Sequence, residues 1–349
     1  MSERREKSMY DDFPFEKWKT IGHRNRIQWK LHRAQERFRY WRLKRRMTRE
    51  TIAETRVDFT KVKEFRADTF PESGPYPWLD RPNAQEEIDR RLRADEITAE
   101  QADLARKFDE DGYVILEGFF DHTLLDDVWA EYEREVYAGK VPVETYQREN
   151  GDLYLGRCLN PHLTVPRLRI MMHDKRLLDL ASFLLGVQAI PFQTITGFAG
   201  SEQRAHSDSI HMTTYPLGYL AAAWMAFEDI HPDSGPLEYY PGSHRLSYLL
   251  SRDLVDKDKP IDMHYKRTTW YNHVYENAIG DLIRDQKLEP HYLDCKKGDV
   301  LIWHANLLHG GSKRKDPALS RRAMVAHYFG KGAFCYGDRH EMMLDLEQG

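Results

Sequence analysis

Hydrophobic positions follow two different periods along the chain, and the change falls near residue 187. Between residues 98 and 186 the apolar positions recur every three or four residues, the period of helices packed on one face. From residue 187 to residue 329 they form short runs separated by turn sequences such as DSG, PGS and KKGD. The pattern therefore predicts helices first and strands later.

Local capping signals set the predicted helix ends. Thr98 opens a helix that Gly112 ends, and Asp121 caps a second helix. A third helix is predicted over residues 175–185, and Gly186 ends it. These helices precede most of the predicted strands.

The strand predictions rest on short apolar runs rich in β-branched and aromatic residues. Residues 113–120 (YVILEGFF) have the length of one buried strand. Many short strands that follow a helical half favour an antiparallel sandwich or barrel with helices packed outside it. The later predicted strands lie within VQAIPFQTITGFAG, YLAAAWMAFEDI, PLEYY, DVLIWHA and RRAMVAHYF.

The N-terminal segment 17–49 is strongly basic. It holds 13 lysines and arginines against one acid, Glu36, although the whole chain has a net charge of −4. Three interpretations are open: a helix docked on the body or on a second copy of the chain, an amphipathic helix on an anionic membrane, and a nucleic-acid-binding segment. The chain's pI of about 6.5 and the lack of a recognition motif argue against nucleic acid. The apolar residues of the segment share one helical stripe, formed by Ile27, Leu31, Ala34, Phe38 and Trp41.

Shifts in composition divide the chain into predicted parts. The 349 residues are enough for a sizeable core. The polar stretch 251–290 predicts an insertion in the main part that acts as a lid. The parts are a basic helical extension (1–66), a proline-rich linker packed on the core (67–97) and the main domain (98–349).

Cysteine usage and hydropathy point to the cytoplasm. Cys158, Cys295 and Cys335 are too few and too irregular for a disulfide framework or a cysteine-rich zinc module. No stretch approaches the ~18 apolar residues of a membrane span. The N-terminus lacks the apolar segment of a secretory signal. We therefore expect a cytoplasmic protein, with peripheral membrane contact as an alternative.

The residues that carry chemistry lie in the strand-rich half. His206 and Asp208 flank Ser207, so in extended backbone they face the same side and can hold one metal ion. His309, which precedes two glycines, is the best candidate for a third ligand. Two histidines and one carboxylate form the facial triad of non-heme Fe(II) oxygenases, which leaves coordination positions open. A second His-x-Asp motif at 231–233 contains proline and indicates a turn.

Arg321 is a candidate for binding an anionic co-substrate. It lies 12 residues after His309, at the start of the predicted strand RRAMVAHYF. A guanidinium presents a planar fork to a carboxylate. Taken by itself, the spacing favours a simpler interpretation, in which Arg321 and Arg322 form the charged edge of a turn.

In combination, these segments resemble the phytanoyl-CoA dioxygenase family of Fe(II)- and 2-oxoglutarate-dependent oxygenases. The resemblance covers roughly residues 105–330 and leaves the basic N-terminus outside. Its most specific part is the acidic turn ending in SGPL, followed by PGSHR. The segments that carry it are FDEDGYVILEGFFD (108–121), the His206/Asp208 pair, WMAFEDIHPDSGPLEYYPGSHR (224–245), KKGDVLIWHANLLHGGS (296–312) and SRRAMVAHYF (320–329).

The resemblance implies a fold, two ligands and a set of residues for them. The fold is mainly β, a double-stranded β-helix or cupin-like jelly roll with flanking helices, to which this chain adds its helical extension. The ligands are Fe(II) and the co-substrate 2-oxoglutarate. The residues assigned to them are His206, Asp208 and His309 for the metal, and Arg321, Trp224 and Gln193 for the co-substrate.

The implied reaction is hydroxylation of an unactivated C–H bond in a small organic metabolite. It consumes O2 and releases succinate and CO2. Asp208 favours hydroxylation or another oxidation over halogenation, because halogenating relatives carry a small residue in its place. The chain departs from the family at Gly311 and Ser312, since many members have serine two residues after the distal histidine. The sequence therefore leaves open what the Ser312 hydroxyl contacts.

Two other classes of function are weighed against this one. One is a metal-binding, cupin-type protein without 2-oxoglutarate chemistry, and Arg321 argues against it. The other is a membrane- or partner-docking protein with a degenerate oxygenase domain, which the complete set of ligand candidates argues against. No segment selects the substrate.

Other polar residues have weaker claims to a role. His211 either faces the substrate or belongs to the core, and both interpretations are open. His304 suits a strand interior, His244 a turn and Arg204 a solvated loop.

Overall fold

The computed structural model describes residues 77–147, 153–250, 253–254, 274–337 and 342–343. The basic segment 17–49 and most of the predicted lid at 251–290 lie outside these residues. The predictions made for them therefore stay predictions.

Six α-helices of the described residues begin and end largely where their caps predict. The Thr98 hydroxyl accepts a hydrogen bond from the Gln101 amide, and the Gln101 side chain accepts one from the Thr98 amide. Gly112 ends this helix in the left-handed conformation, with φ 81°. The Asp121 carboxylate caps the following helix. The helices are α1 Ala84–Arg93, α2 Ala99–Asp111, α3 His122–Tyr137, α4 Pro166–Met172, α5 Lys175–Leu185 and α6 Glu276–Asp285.

Short antiparallel strands make up most of the remaining regular structure. They are β1 Tyr113–Leu116, β2 Thr145–Gln147, β3 Leu153–Leu155, β4 Arg157–Leu159, β5 Ala189–Gly197, β6 Thr213–Tyr215, β7 Leu220–Ala226, β8 Leu237–Tyr239, β9 His291–Tyr292, β10 Val300–His304, β11 His309–Gly311, β12 Ala323–Gly330, β13 Phe334–Gly337 and β14 Met342–Met343.

A six-stranded sheet with the order β1-β10-β7-β12-β5-β4 forms the centre of the fold. Every residue of β7 is buried, as expected for a strand between two covered faces. Two three-stranded sheets, β11-β8-β9 and β14-β13-β6, and the hairpin of β2 and β3 complete the described strands. The register shifts in β12 between His327 and Tyr328.

The two faces of the central sheet bury different side chains. The outer face packs on α2, α3 and α5 through a core that includes Trp129 and Met324. The inner face carries Trp224 and Trp303, which pack with Leu237 of the small sheet. Opposed sheets with helices on one outer face confirm the predicted mainly-β jelly roll with flanking helices.

One helix lies inside the segment that the sequence predicts as a linker. Helix α1 has the sequence AQEEIDRRLR and buries only Ala84 and Ile88, so few apolar residues mark its helical period. Trp78 and Leu79 of this segment are buried. The Trp78 indole donates a hydrogen bond to the Phe183 carbonyl oxygen at 2.7 Å.

Strand β1 is shorter than the predicted run 113–120. It ends at Leu116 because Gly118 adopts a positive φ of 57° and its amide donates to the Asp299 carboxylate at 2.8 Å. The chain therefore turns there rather than continuing along the sheet.

Candidate functional site

The chain segments that carry His206 and His309 pair through their backbones. The His206 amide donates to the His309 carbonyl oxygen at 2.8 Å, and the His309 amide donates back to His206 at 2.9 Å. Asp208 begins a short 3₁₀ turn after Ser207. This backbone pairing brings together residues that lie far apart in the sequence.

Glycine makes the close approach of these segments possible. A Cβ at Gly310 would lie 2.7 Å from the Gln203 carbonyl oxygen and 3.0 Å from the Ala205 amide nitrogen. Gly310 and Gly311 therefore leave room for the backbone that leads into His206.

The side chains of His206, Asp208 and His309 converge on one point. Their candidate ligand atoms all lie within 4.8 Å of one another. The three residues are 6%, 5% and 5% exposed. Two imidazoles and one carboxylate at this spacing fit a divalent metal ion of the Fe(II) type.

Backbone carbonyls orient both imidazoles. His206 Nδ1 lies 2.9 Å from the Arg204 carbonyl oxygen, and His309 Nδ1 lies 2.9 Å from that of Leu307. A carbonyl oxygen only accepts, so each Nδ1 carries the proton and each Nε2 keeps a lone pair for a metal.

Electrostatics favour the protonation states that a metal requires. Burial, and then the neighbouring His309, lowers the pKa of His206 to about 3, so its imidazole is neutral. Burial opposes ionisation of Asp208, but His309 and His327 hold the pKa of Asp208 below its ordinary value. Neutral imidazole and ionised carboxylate are the ligand forms of these side chains.

Arg321 is a buried cation with no carboxylate partner among the described residues. Its Nη1 donates to the Gly235 carbonyl oxygen at 2.7 Å, whereas its Nε makes no hydrogen bond there. Burial, and then the charge of Arg314, lowers the pKa of Arg321 to about 10, so it stays charged near neutral pH. A buried guanidinium with an unused donor fits the carboxylate of an acidic small molecule.

The two remaining co-substrate candidates lie on the inner strands. Trp224 of β7 pairs with Leu301 of β10, which alternates onto the same face as Trp303. Gln193 of β5 pairs with His327 of β12. Gln193 is buried, and its Oε1 finds no hydrogen-bond donor among the described residues.

Two residues beside Asp208 were not singled out from the sequence. Trp303 Nε1 donates to Asp208 Oδ2 at 2.9 Å, and His327 Nε2 lies 3.8 Å from the same oxygen. Strand alternation predicts inward-facing side chains at these positions. It does not predict which loop they meet, because that contact is set by the tertiary fold.

Two of the other histidine candidates are engaged away from the cluster, whereas the third, His211, lies beside it. His304 Nε2 lies 3.2 Å from Asp80 Oδ2, and His244 Nε2 lies 3.1 Å from the Asp109 carbonyl oxygen. These contacts support the structural interpretation of both residues. His211 packs against His206, with ring centroids 5.2 Å apart.

The expected turn at residues 231–233 is present, and Ser312 has a backbone partner. The Asp233 amide donates to His231 Nδ1 at 3.1 Å, and both side chains are about half exposed. The Ser312 hydroxyl donates to the Pro236 carbonyl oxygen at 2.9 Å. This settles the contact that the sequence left open.

Comparison with known proteins assigns the chain to a family. A sequence profile described as "Phytanoyl-CoA dioxygenase (PhyH)" matches residues 108–323. The chain belongs to this family. Membership confirms the resemblance seen in the sequence and the predicted enzyme class, a dioxygenase that uses Fe(II) and 2-oxoglutarate.

Individual relatives of this phytanoyl-CoA dioxygenase family member share only a low sequence identity with it. An ectoine dioxygenase from Sphingopyxis alaskensis is 26% identical over 242 residues, which cover 66% of this chain and 76% of the relative. A crystal structure of EctD from S. alaskensis with 2-oxoglutarate and 5-hydroxyectoine has a TM-score of 0.52 at 21% identity, covering 68% of this chain and 77% of EctD. The epimerase SnoN from nogalamycin biosynthesis, solved with Fe3+, alpha ketoglutarate and nogalamycin RO, has a TM-score of 0.51 at 19% identity. The match covers 68% of this chain and 86% of SnoN. The structural likenesses support the fold.

No helix in the described part of this family member has the length and apolarity that a bilayer crossing requires.

Proposed function

We propose that His206, Asp208 and His309 hold one Fe(II) ion and that Arg321 binds 2-oxoglutarate beside it. The observation that carries the proposal is the pairing of a buried His-Asp-His cluster with a buried arginine that lacks a carboxylate partner. The cluster supplies three metal ligands on one side. The arginine supplies the charge that a dicarboxylic co-substrate needs.

The bound iron supplies the redox chemistry that no amino-acid side chain provides. The overall reaction is written R–H + 2-oxoglutarate + O2 → R–OH + succinate + CO2, and it balances in atoms and electrons. The residues of the chain bind and orient its components. Arg321 fixes the distal carboxylate of 2-oxoglutarate, Trp224 packs along it, and the side-chain amide of Gln193 donates to it through Nε2.

Burial contributes to this function by excluding water. All three ligand residues and Arg321 are less than a tenth exposed. A dry site strengthens the interaction of Arg321 with the carboxylate and limits unproductive reactions with solvent.

We propose a small organic metabolite as the substrate and hydroxylation as the outcome. The relative that is named ectoine dioxygenase supports a small substrate. SnoN is an epimerase on a similar fold, so the same scaffold supports other oxidative outcomes. Product analysis separates hydroxylation from epimerisation, because only hydroxylation adds an oxygen atom to the substrate.

The test is turnover of 2-oxoglutarate under air with Fe(II) and a panel of small metabolites. We expect succinate to form above the background rate with at least one compound, together with a product 16 mass units heavier. Wild-type protein that neither binds Fe(II) nor converts 2-oxoglutarate would contradict the proposal.

We also propose a cytoplasmic location and a docking role for residues 17–49. The support is the basic, amphipathic sequence of this segment, which lies before every predicted ligand residue. Its binding partner is a second copy of the chain or an anionic membrane surface. The salt dependence of self-association and of liposome binding distinguishes the two.

A further inference from the structure

Trp303 contacts two of the three candidate metal ligands. Its indole N–H donates to Asp208 Oδ2 at 2.9 Å across 95 residues of sequence. Its ring also packs on His309, with centroids 4.9 Å apart and planes inclined at 52°. Trp303 is 2% exposed, so no solvent competes for the indole N–H.

The sheet holds this indole in place from both sides. Within β10, Trp303 pairs with Tyr113 of β1 and with Ala222 of β7. The small side chain of Ala222 leaves room on the inner face for the large ring. Because β10 is flanked on both edges, the indole reaches the turn at Asp208 from a rigid strand rather than from a loop.

The two oxygens of Asp208 have different surroundings. Oδ2 accepts the hydrogen bond from Trp303, and His327 Nε2 lies 3.8 Å from it. Oδ1 lies 3.6 Å from His309 Nε2, on the side where the ligand atoms converge. A carboxylate with one oxygen held by a donor has the other oxygen free for a metal.

We propose that Trp303 is a positioning residue that makes Asp208 a one-oxygen metal ligand. The inference rests on the proposed metal site and goes beyond it. A facial triad of three donor atoms leaves three of six positions, two for the keto acid end of 2-oxoglutarate and one for O2. If Asp208 bound through both oxygens, it would occupy one of those three positions.

The test compares Trp303→Phe with Trp129→Phe in the full-length protein. The first substitution keeps an aromatic ring and removes the N–H. The second makes the same change at a buried indole whose N–H has no partner among the described residues. Anaerobic titration with Fe(II), or with Co(II) as a spectroscopic probe, should show metal binding weakened about tenfold or more only in Trp303→Phe.

The visible absorption of bound Co(II) gives a readout that a packing defect would not change. Releasing Oδ2 lets the carboxylate bind through both oxygens, so the Co(II) bands of Trp303→Phe should shift in position and intensity. The bands of Trp129→Phe should match wild type. Equal metal affinity and equal Co(II) spectra in both variants would overturn the inference.

A second measurement does not depend on how Trp303→Phe folds. In ¹⁵N-labelled protein the Trp303 indole N–H should exchange slowly with solvent, and its signal should move when Asp208 is changed to Asn. The Trp129 signal should stay in place. If the Trp303 indole signal keeps its chemical shift in Asp208→Asn, the inference is also overturned.

Failure of this inference is distinguishable from failure of the metal site itself. If His206→Ala retains full metal affinity, the proposed metal site is wrong. If His206→Ala loses it and Trp303→Phe does not, only the role of Trp303 is wrong.

Discussion

Gln193 and His327 lie opposite each other on β5 and β12, and each has a buried polar atom without a partner. The atoms are Gln193 Oε1 and His327 Nδ1, and neither finds a hydrogen bond among the described residues. An unsatisfied buried polar atom costs about 1–3 kcal/mol. Sequences usually avoid this cost, so we expect a bound molecule to complete the hydrogen bonds of this pair.

The first prediction follows from this cost. Gln193→Leu keeps a similar volume and removes an unsatisfied oxygen, so the metal-free protein should be as stable as wild type or more stable by up to a few degrees in Tm. Its Kd for 2-oxoglutarate should rise, because the substitution also removes the Nε2 donor that the proposed function places on the co-substrate. Thermal unfolding and co-substrate titration measure the two effects.

Thr194→Val is the matched control for Gln193→Leu. The Thr194 hydroxyl is hydrogen-bonded to His162 Nδ1 at 2.6 Å in the buried core, so its loss removes a buried hydrogen bond and should lower Tm. A drop in Tm for Gln193→Leu as large as that for Thr194→Val would show that Gln193 is a structural residue.

The second prediction concerns the metal ligands. His206→Ala or His309→Ala should reduce Fe(II) affinity strongly, because each removes one of three donor atoms. His231→Ala should bind Fe(II) as wild type does, since His231 lies in an exposed turn. Anaerobic metal titration decides between the two His-x-Asp motifs. Unchanged binding in both ligand variants would eliminate the triad.

The third prediction separates two adjacent arginines. Arg321→Ala should raise the Kd of 2-oxoglutarate tenfold or more, because a charge-assisted contact is worth about 1.5–3 kcal/mol. Metal affinity should be retained. Arg322→Ala should leave the co-substrate Kd near wild type, because the Arg322 side chain faces Glu228 and Glu133. The reverse pattern would mean that the assignment is one residue out of register.

Features set by neighbouring residues were predictable from the sequence. The capping box at Thr98 and the glycine stop at Gly112 involve residues a few positions apart, and the structure confirms both. Helix α1 was missed because it lies in the proline-rich stretch that the composition assigns to a linker, and because it has few apolar residues, of which only Ala84 and Ile88 are buried.

Contacts that depend on strand order were beyond a single sequence. The local sequence named His309 as the best candidate for a third ligand, and the family resemblance agreed with it. The backbone pairing of His309 with His206 was not predicted. The contact between Trp303 and Asp208 spans 95 residues and requires β10 to lie under the turn that carries Asp208. Hydrophobic alternation gives the inward direction of Trp303 but not its partner.

The last prediction concerns the N-terminal extension. Deleting residues 1–60 should leave Fe(II) and 2-oxoglutarate binding near wild type, because every candidate ligand residue lies after residue 190. The deletion should instead abolish association, either with a second copy of the chain or with an anionic membrane. Titrations of both ligands, sizing and liposome co-sedimentation on the full-length and truncated proteins measure these effects.

Salt distinguishes the two partners of this extension. Attraction of 13 basic residues to an anionic surface is screened over a Debye length of ~8 Å at physiological ionic strength, so membrane binding should weaken as salt rises. Self-association through an apolar stripe should persist or strengthen, because burial of apolar surface does not depend on charge screening. If the truncated protein fails to bind Fe(II), the extension is part of the catalytic fold and the predicted boundary at residue 66 is wrong.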